Sequence, residues 1–183
     1  MDNGASSYRR FLNGDKSAFD EIMKELFSGL VFFIDRYLHD IHSSEDIAID
    51  VFSELIVHPH RYNFKVTLKT YLYMLGRSRA LDHIKRRKII RFVEISEAEC
   101  YPDDRSDLEA LLLADQRKRV LSAAIARLPE DMQAAVHLVY FEEMTYEEAA
   151  KVMKKSRKQV DNLLYRAKKK LYIILGKDGA QLL

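Results

Sequence analysis

Apolar side chains recur every three or four residues along most of this chain, which is the spacing of helices with one buried face. Several such stretches fill residues 17–90, and more follow from about residue 108 after a break in the pattern. No run of alternating apolar and polar residues is long enough to predict a strand. The pattern predicts an all-α fold with a linker at about 92–105, and a length of 183 residues suits either one domain or two small ones.

Serines and a proline mark the expected helix boundaries. Ser17 is expected to cap one helix, and Ser43 or Ser44 the next, because short hydroxyl side chains accept from free backbone N–H groups. Pro59 is expected to end that second helix, since the residue before a proline disfavours helical geometry. Ser106 is expected to cap a later helix, just after the linker.

Two capping boxes follow each other closely near the C-terminus. Thr145 has Glu148 three residues on, and Ser156 has Gln159 three residues on, so two helices begin within a dozen residues. The second helix has its apolar residues on one face: Val160, Leu163, Leu164, Ala167 and Leu171. Its other face is rich in Lys and Arg. A short helix, a tight turn and a basic helix predict a DNA-binding helix-turn-helix, and the alternative is a helical hairpin with a solvated basic face.

Charge divides the chain more sharply than its net value of +2 suggests. Residues 61–91 have a net charge of +9 and residues 151–171 one of +8, whereas residues 92–115 between them have −7. Two basic segments around an acidic one predict two separate contacts with a polyanion. The acidic segment is also expected to attract both basic ones and keep the free chain compact, although salt screens such attraction beyond about 8–10 Å.

Catalytic and metal-binding chemistry is not predicted. His58 and His60, and likewise His39 and His42, lack an acidic or cysteine partner at a recognised ligand spacing. A glycine-rich phosphate loop is also absent, so we expect neither an enzyme nor a cofactor. The single cysteine, Cys100, cannot form an internal disulfide, and no signal peptide or membrane span is recognisable. A cytoplasmic protein without membrane insertion is expected.

Aromatic residues alternate with cations in the first basic segment. Tyr62 and Phe64 lie beside Arg61 and Lys65 in a stretch that reads as a loop, whereas Tyr71 follows in a helix and is expected in the core. Flat rings next to cations suit single-stranded nucleic acid, because unpaired bases offer faces for stacking and phosphates offer charge. The loop therefore predicts a contact with unpaired bases, and packing within the loop is the alternative.

Three stretches, in this order, resemble bacterial sigma factors of the extracytoplasmic-function (ECF) subfamily. Residues 43–52, SSEDIAIDVF, resemble the family's DAEDLVQEVF segment. Residues 68–87, which contain LKTYLY and GRSRALDHIKRR, resemble its FRAWLYRIARNLALDHLRR segment. Residues 128–171 are similar to its region that begins LPERQREVLLLRYLEGLSYEEIAEILG.

The resemblance implies a subunit that binds core RNA polymerase and directs promoter recognition, −10 melting and transcription initiation. It implies two small helical domains: residues 1–91 would be the region 2 domain and residues 108–183 the region 4 helix-turn-helix domain, joined by the acidic linker at 92–107. The implied partners are the clamp coiled coil of the β′ subunit, promoter DNA and an anti-sigma factor. The alternative is a stand-alone helix-turn-helix transcriptional regulator, which would need no polymerase-binding helix.

The resemblance also implies which residues make each contact. The face expected to bind polymerase comprises Asp46, Ile49, Asp50 and Glu54. The residues expected to bind the −10 element are Arg61, Tyr62, Asn63, Phe64, Lys65, Arg77, Ser78 and Lys85. The residues expected to read the −35 element are Arg157, Lys158, Asp161, Asn162, Tyr165, Arg166 and Lys169.

Four positions depart from the family's pattern. Tyr71 stands where Trp is usual, which is a mild change. Lys154 stands where the turn usually has Gly, so a left-handed conformation there is expected to be strained. Ser78 stands where Asn is usual. Asp161 stands where Lys or Arg is frequent, and an acid there would repel phosphate or accept from a cytosine amine.

Overall fold

The computed structural model describes residues 4–93 and 116–179, with side chains at 4–88 and 119–176, and every regular element within these ranges is helical. The helices are α1 (Ala5–Leu12), α2 (Ser17–Leu38), α3 (Ile41–Val57), α4 (Leu68–Val93), α5 (Gln116–Ala126), α6 (Glu130–Val136), α7 (Tyr146–Met153) and α8 (Arg157–Gly179). A 3-10 turn at Pro59–Arg61 follows α3, and a π-helical turn at His137–Phe141 extends α6. The all-α fold class is confirmed. Most of the predicted linker, and the predicted cap at Ser106, lie outside the described residues.

The N-terminal half packs α2, α3 and α4 around one apolar core. Leu30, Phe52 and Leu72 are among its fully buried side chains. Helix α1 crosses the open side of this bundle, where Tyr8 is fully buried and its hydroxyl donates to the Leu55 carbonyl at 2.9 Å. As predicted, α3 ends just before Pro59.

Two predicted helix caps are wrong, because an aspartate precedes each serine. Ser17 is the first residue of α2, and its N–H donates to Asp15 Oδ1 at 3.1 Å. Asp40 caps α3 in place of Ser43 or Ser44, and its carboxylate accepts from the Ser43 N–H at 3.3 Å and from the Ser43 hydroxyl at 2.8 Å. A carboxylate also interacts favourably with the positive end of a helix, which a serine hydroxyl does less strongly.

The C-terminal half packs α5 to α8 around a second group of buried apolar side chains, which includes Leu138, Val160 and Leu164. Buried Gln133 fixes the connection between α5 and α6, because its Nε2 donates to the carbonyls of Ala126 at 3.1 Å and Leu128 at 2.7 Å. Helix α6 continues into its π-helical turn, which ends at Phe141. Helices α6 and α7 both pack against α8.

Candidate nucleic-acid interface

Both predicted capping boxes form at the helix-turn-helix. The Thr145 hydroxyl accepts from the Glu148 N–H at 3.2 Å, and the Thr145 N–H donates to Glu148 Oε2 at 2.9 Å. In the same way, the Ser156 hydroxyl accepts from the Gln159 N–H at 3.2 Å, and the Ser156 N–H donates to Gln159 Oε1 at 2.7 Å. These local bonds fix where α7 and α8 begin.

The turn between the two helices adopts the left-handed conformation expected at Lys154, with φ 52° and ψ 44°. The Lys155 N–H donates to the Ala150 carbonyl at 2.9 Å and closes the end of α7. A residue with a Cβ is strained in this region, at a cost of about 1–2 kcal/mol. The packing of α7 against α8 through Val152, Met153 and Val160, all buried, offsets that strain.

The basic side of α8 faces solvent over its whole described length. All seven residues predicted to read the −35 element are exposed: Arg157, Lys158, Asp161, Asn162, Tyr165, Arg166 and Lys169. Four of the five apolar residues predicted on the inner face are buried, and Leu163 is half-buried. The amphipathic pattern therefore places charged and polar side chains where a groove of DNA could receive them.

A shallow depression lies at the start of α8. Its volume is about 310 Å³, and it is lined by Tyr146, Arg157, Lys158 and Asp161. Arg157 Nε lies 3.1 Å from Glu147 Oε1, but both side chains are more than half exposed. Such a surface ion pair contributes about 0–1 kcal/mol, so it leaves Arg157 available to another anion. The depression combines two cations and an acid at the N-terminal end of α8.

Tyr165 and Lys169 form a pair one turn further along α8. The Lys169 ammonium lies 4.5 Å from the centre of the Tyr165 ring. The ring is 60% exposed, so this cation–π contact covers only part of it. Lys169 thus has a fixed position beside an exposed ring while remaining exposed itself.

The loop at 58–67 differs from its prediction at Tyr62. This side chain is only 3% exposed, and its hydroxyl donates to the Val66 carbonyl at 2.8 Å. Its ring packs against Phe64 at 4.5 Å and Tyr71 at 5.1 Å between centroids. In this conformation Tyr62 offers no free face to a base, because it forms the inside of the loop.

Phe64 is the aromatic residue of this loop that remains half-exposed. Its backbone has φ 60°, a left-handed conformation that non-glycine residues rarely adopt. The Arg9 guanidinium lies 4.8 Å from the centre of its ring. A strained backbone at a half-exposed ring beside a cation is typical of a binding position.

The other residues predicted at the −10 element differ in exposure: Asn63, Lys65 and Lys85 are exposed, whereas Arg77 and Ser78 are half-buried. Asn63 and Lys65 are exposed in the loop, where Asn63 Oδ1 accepts from the Lys65 N–H at 3.1 Å. Exposed Lys85 lies further along α4, beyond half-buried Ser78. Arg77, in contrast, is half-buried, and its guanidinium lies 5.9 Å from the centre of the Tyr37 ring. The structure therefore does not bring Arg77 to the loop.

The predicted acidic face on α3 holds for three of its four residues. Asp46, Ile49 and Asp50 are exposed, and Ile49 is 51% exposed. The Glu54 side chain is only 12% exposed, because its carboxylate binds Arg61 and also Arg79 Nη2 at 2.9 Å. Glu54 thus belongs to a partly buried ion-pair cluster and not to the exposed face, while Asp50 lies on that face and also pairs with Arg79 Nη1 at 3.5 Å. Nothing in the local sequence indicated the role of Arg79, which lies 25 positions from Glu54.

Within residues 4–93 and 116–179, no group of three His, Cys, Asp or Glu side chains has a geometry that could hold a metal ion. None of the helices described there is long and apolar enough to cross a membrane.

Comparisons with known proteins agree with the order of the three motifs. The family model described as Sigma-70 region 2 matches residues 22–89, and the model described as Sigma-70, region 4 matches residues 118–171. The RNA polymerase sigma-H factor of Pseudomonas aeruginosa is 28% identical over 167 residues, which cover 87% of this chain and 86% of that protein. The ECF RNA polymerase sigma factor SigM of Bacillus subtilis is 25% identical over 152 residues, which cover 83% of this chain and 91% of that protein.

Two solved structures share the fold. The sigma factor RpoE from Bartonella quintana, in complex with the anti-sigma factor NepR, has a TM-score of 0.63 at 18% identity and covers 87% of this chain and 98% of its own. CnrH, in complex with the cytosolic domain of CnrY, has a TM-score of 0.62 at 17% identity and covers 94% of both chains. The two matched regions and the relatives that span most of the chain show that it belongs to the sigma-70 family of RNA polymerase sigma factors, in the ECF group, whose members direct the polymerase to promoters.

Proposed function

We propose that α3 binds core RNA polymerase, that the 58–67 loop and the start of α4 hold the opened −10 element, and that α8 reads the −35 element. The observation that supports this best is the exposed acidic and apolar face of α3 on the same chain as the helix-turn-helix. A stand-alone regulator has no use for such a face. The domain bounds proposed for these roles are residues 1–91 and 108–183.

The chemistry of the α3 face suits the clamp coiled coil of the β′ subunit. Asp46 and Asp50 supply negative charge, and Ile49, Ile56 and Val57 are 51%, 52% and 65% exposed. Exposed aliphatic side chains beside carboxylates suit a partner helix that is apolar and basic. Because these residues are not covered by the rest of the described chain, the face can bind without a change in fold.

The −10 contact that we propose depends on Phe64, Asn63 and Lys65. Phe64 would stack on an unpaired base, and the neighbouring polar and cationic side chains would hold the strand. Glu54 acts here as a positioning residue, since it holds Arg61 next to the loop and Arg79 on α4. Through this cluster the polymerase-binding helix and the −10 loop have a fixed relative position.

The −35 contact that we propose divides along α8. Recognition helices contact base edges mainly through their N-terminal residues, so Arg157, Lys158, Asp161 and Asn162 would lie nearest the bases. Lys169 lies two turns later and would bind a phosphate, which positions the protein without reading sequence.

Three further proposals follow from this role. The polymerase would carry out all catalysis, so the chain itself would not be an enzyme. It would act in the cytoplasm, where promoter DNA and polymerase are found. An anti-sigma factor would regulate it, which is supported by the structural neighbour RpoE from Bartonella quintana, whose solved complex contains the anti-sigma factor NepR.

Run-off transcription with core polymerase and promoter-containing fragments tests this function. We expect specific transcripts with the chain and none without it. Asp46→Arg should weaken binding to core by reversing charge on an exposed face, while Glu25→Arg, on an exposed position of α2, serves as the matched control. If Asp46→Arg competes for core as well as Glu25→Arg does, α3 is not the polymerase-binding helix. DNA binding without any effect of core would favour the stand-alone regulator.

A further inference from the structure

The two domains meet at a face that the sequence did not indicate. It is formed by residues four positions apart on two helices: Gly29 and Phe33 of α2, and Lys69 and Tyr73 of α4. We call this the docking face. The C-terminal domain places His137 and Glu142 against it, and the His137 ring stacks on Phe33 with centroids 5.9 Å apart.

Glu142 and Lys69 form the central polar contact of the docking face. Lys69 Nζ donates to Glu142 Oε2 and to the Glu142 carbonyl, both at 2.8 Å. The two side chains are only 15% and 12% exposed, so little water competes for them. Burial alone would raise the pKa of Glu142, but the interactions with His137 and Lys69 lower it to about 2. The carboxylate is therefore charged and paired at neutral pH.

Glu142 occupies space beside α2 that is free because Gly29 has no side chain. A Cβ at this position would lie 2.5 Å from Glu142 Oε1 and 2.6 Å from the Tyr73 hydroxyl. Real Cβ atoms do not approach oxygen so closely, so any larger residue would displace one of the two side chains. The fit of Glu142 into α2 is therefore specific to glycine.

A second contact joins the helix-turn-helix to the start of α4. Glu148 Oε1 accepts from the Thr67 hydroxyl at 3.3 Å and from the Thr70 hydroxyl at 3.4 Å, while Oε2 completes the capping box with Thr145. These threonines lie directly after the loop proposed to hold the −10 strand. The first helix of the −35 reader thus covers part of the −10 reader.

In this closed arrangement the surfaces proposed to bind the −10 and −35 elements lie too close together to bind both elements at once. The names of the two elements place them about 25 base pairs apart, or about 85 Å along B-form DNA. Because Thr67 touches Glu148, chain geometry limits the distance between Lys65 and Asp161 to about 45 Å. The domains must therefore separate before both elements can be read at once.

We infer that the contact of Glu142 with Lys69 and the Gly29 cradle is an intramolecular latch that holds the free sigma factor closed and must open for promoter recognition. The inference about promoter recognition rests on the proposed function. Closure itself does not, since it can be measured on the chain without polymerase or DNA.

Pulsed electron spin resonance on the full chain measures closure directly. Cys100→Ser removes the single cysteine, and spin labels on Lys24→Cys and Lys151→Cys report the distance between α2 and α7. We expect one short distance in this background, and Glu142→Gln should raise the open-to-closed ratio about tenfold or more, the ratio that one charge-assisted hydrogen bond is worth. Glu143→Gln is the matched control, because it removes the same charge from the adjacent, exposed residue.

Two more variants distinguish opening of the latch from misfolding. Gly29→Ala keeps every charge and favours the helix, yet its Cβ should open the latch. Lys69→Gln should open it as Glu142→Gln does, and the double variant should open it no further. The inference is overturned if the spin-labelled chain with Glu142, Lys69 and Gly29 unchanged gives a long distance or a broad distance distribution. It is also overturned if Glu142→Gln and Glu143→Gln give equal distance distributions.

A second readout separates the latch from the proposed function. Binding of a single-stranded −10 oligonucleotide to the free chain should strengthen in Glu142→Gln, because opening uncovers the start of α4. If the distances open but the affinity for this oligonucleotide stays the same, the latch stands and the start of α4 is not part of the −10 site. If the distances do not open, the latch is wrong whatever the oligonucleotide shows.

Discussion

Substitution of Tyr62 distinguishes packing within the loop from contact with a base. The ring is almost fully buried and lies within 6 Å of the ring centres of Phe64, Tyr71 and Tyr8. Its hydroxyl donates to the Val66 carbonyl. We therefore expect Tyr62→Ala to destabilise the N-terminal domain, in contrast to the original expectation that this ring stacks on DNA.

The size of the effect follows from what each change removes. Truncation of a buried aromatic side chain to alanine costs about 3–5 kcal/mol. Tyr62→Phe keeps the ring and loses only one hydrogen bond, a cost of about 0.5–1.5 kcal/mol, increased somewhat because the Val66 carbonyl loses its donor. Phe64→Ala removes a half-exposed ring and should cost about half of the buried value at most.

Urea denaturation followed by circular dichroism measures these costs, and permanganate reactivity of promoter thymines measures strand opening. At saturating holoenzyme, Phe64→Ala should reduce thymine reactivity through the loss of about 1–3 kcal/mol of stacking. Tyr62→Phe should open the promoter as the unmodified chain does. A Tyr62→Ala variant with unchanged stability and lost reactivity would mean that Tyr62 leaves its cluster and stacks on a base, which would refute the packing interpretation.

The remaining predictions concern α8, the ion-pair cluster and pH. Asn162→Ala should cost about 1–3 kcal/mol of discrimination at one base pair, whereas Lys169→Ala should weaken all −35 sequences alike and lower the salt slope by about one, both measurable with a promoter library across salt concentrations. Glu54→Ala should lower the melting temperature of the free chain and impair opening, with Glu54→Gln recovering part of both. Because the pKa of Glu142 lies near 2 instead of 4.5, its stabilising contribution is complete above pH 4.5 and lost as pH falls through 2. Urea titrations should show that the unmodified chain loses up to about 2 kcal/mol more than Glu142→Gln between pH 6 and pH 3.

The helix-turn-helix could be predicted in detail because its determinants are local. Each capping box joins residues three positions apart, so Thr145 with Glu148 and Ser156 with Gln159 fixed both helix starts without help from the rest of the fold. The exposed basic face of α8 followed from helical periodicity. The same local rules failed at Ser17, where Asp15 offered a stronger acceptor two positions earlier.

Side chains whose surroundings come from distant helices could not be predicted. Glu54 belongs to the acidic series on α3 by spacing, but Arg79 on α4 turns it inward. Tyr62 follows the same cation-and-aromatic pattern as Phe64, but Tyr8 on α1 and Tyr71 on α4 enclose the Tyr62 ring, while Phe64 stays half-exposed. Periodicity states which face a residue is on, but not which helix lies opposite.

The positions of the three surfaces imply an order of events in initiation. The exposed α3 residues Asp46, Ile49 and Asp50 lie outside the docking face, so the closed chain can meet the polymerase clamp without opening. The −10 and −35 surfaces cannot be used together until the contact between Lys69 and Glu142 is broken. Since the polymerase contact needs no opening and promoter reading does, we expect binding to core to come first. Separation of the domains would then be driven by the further contacts that each makes on the polymerase, which keeps the free protein from occupying promoters alone.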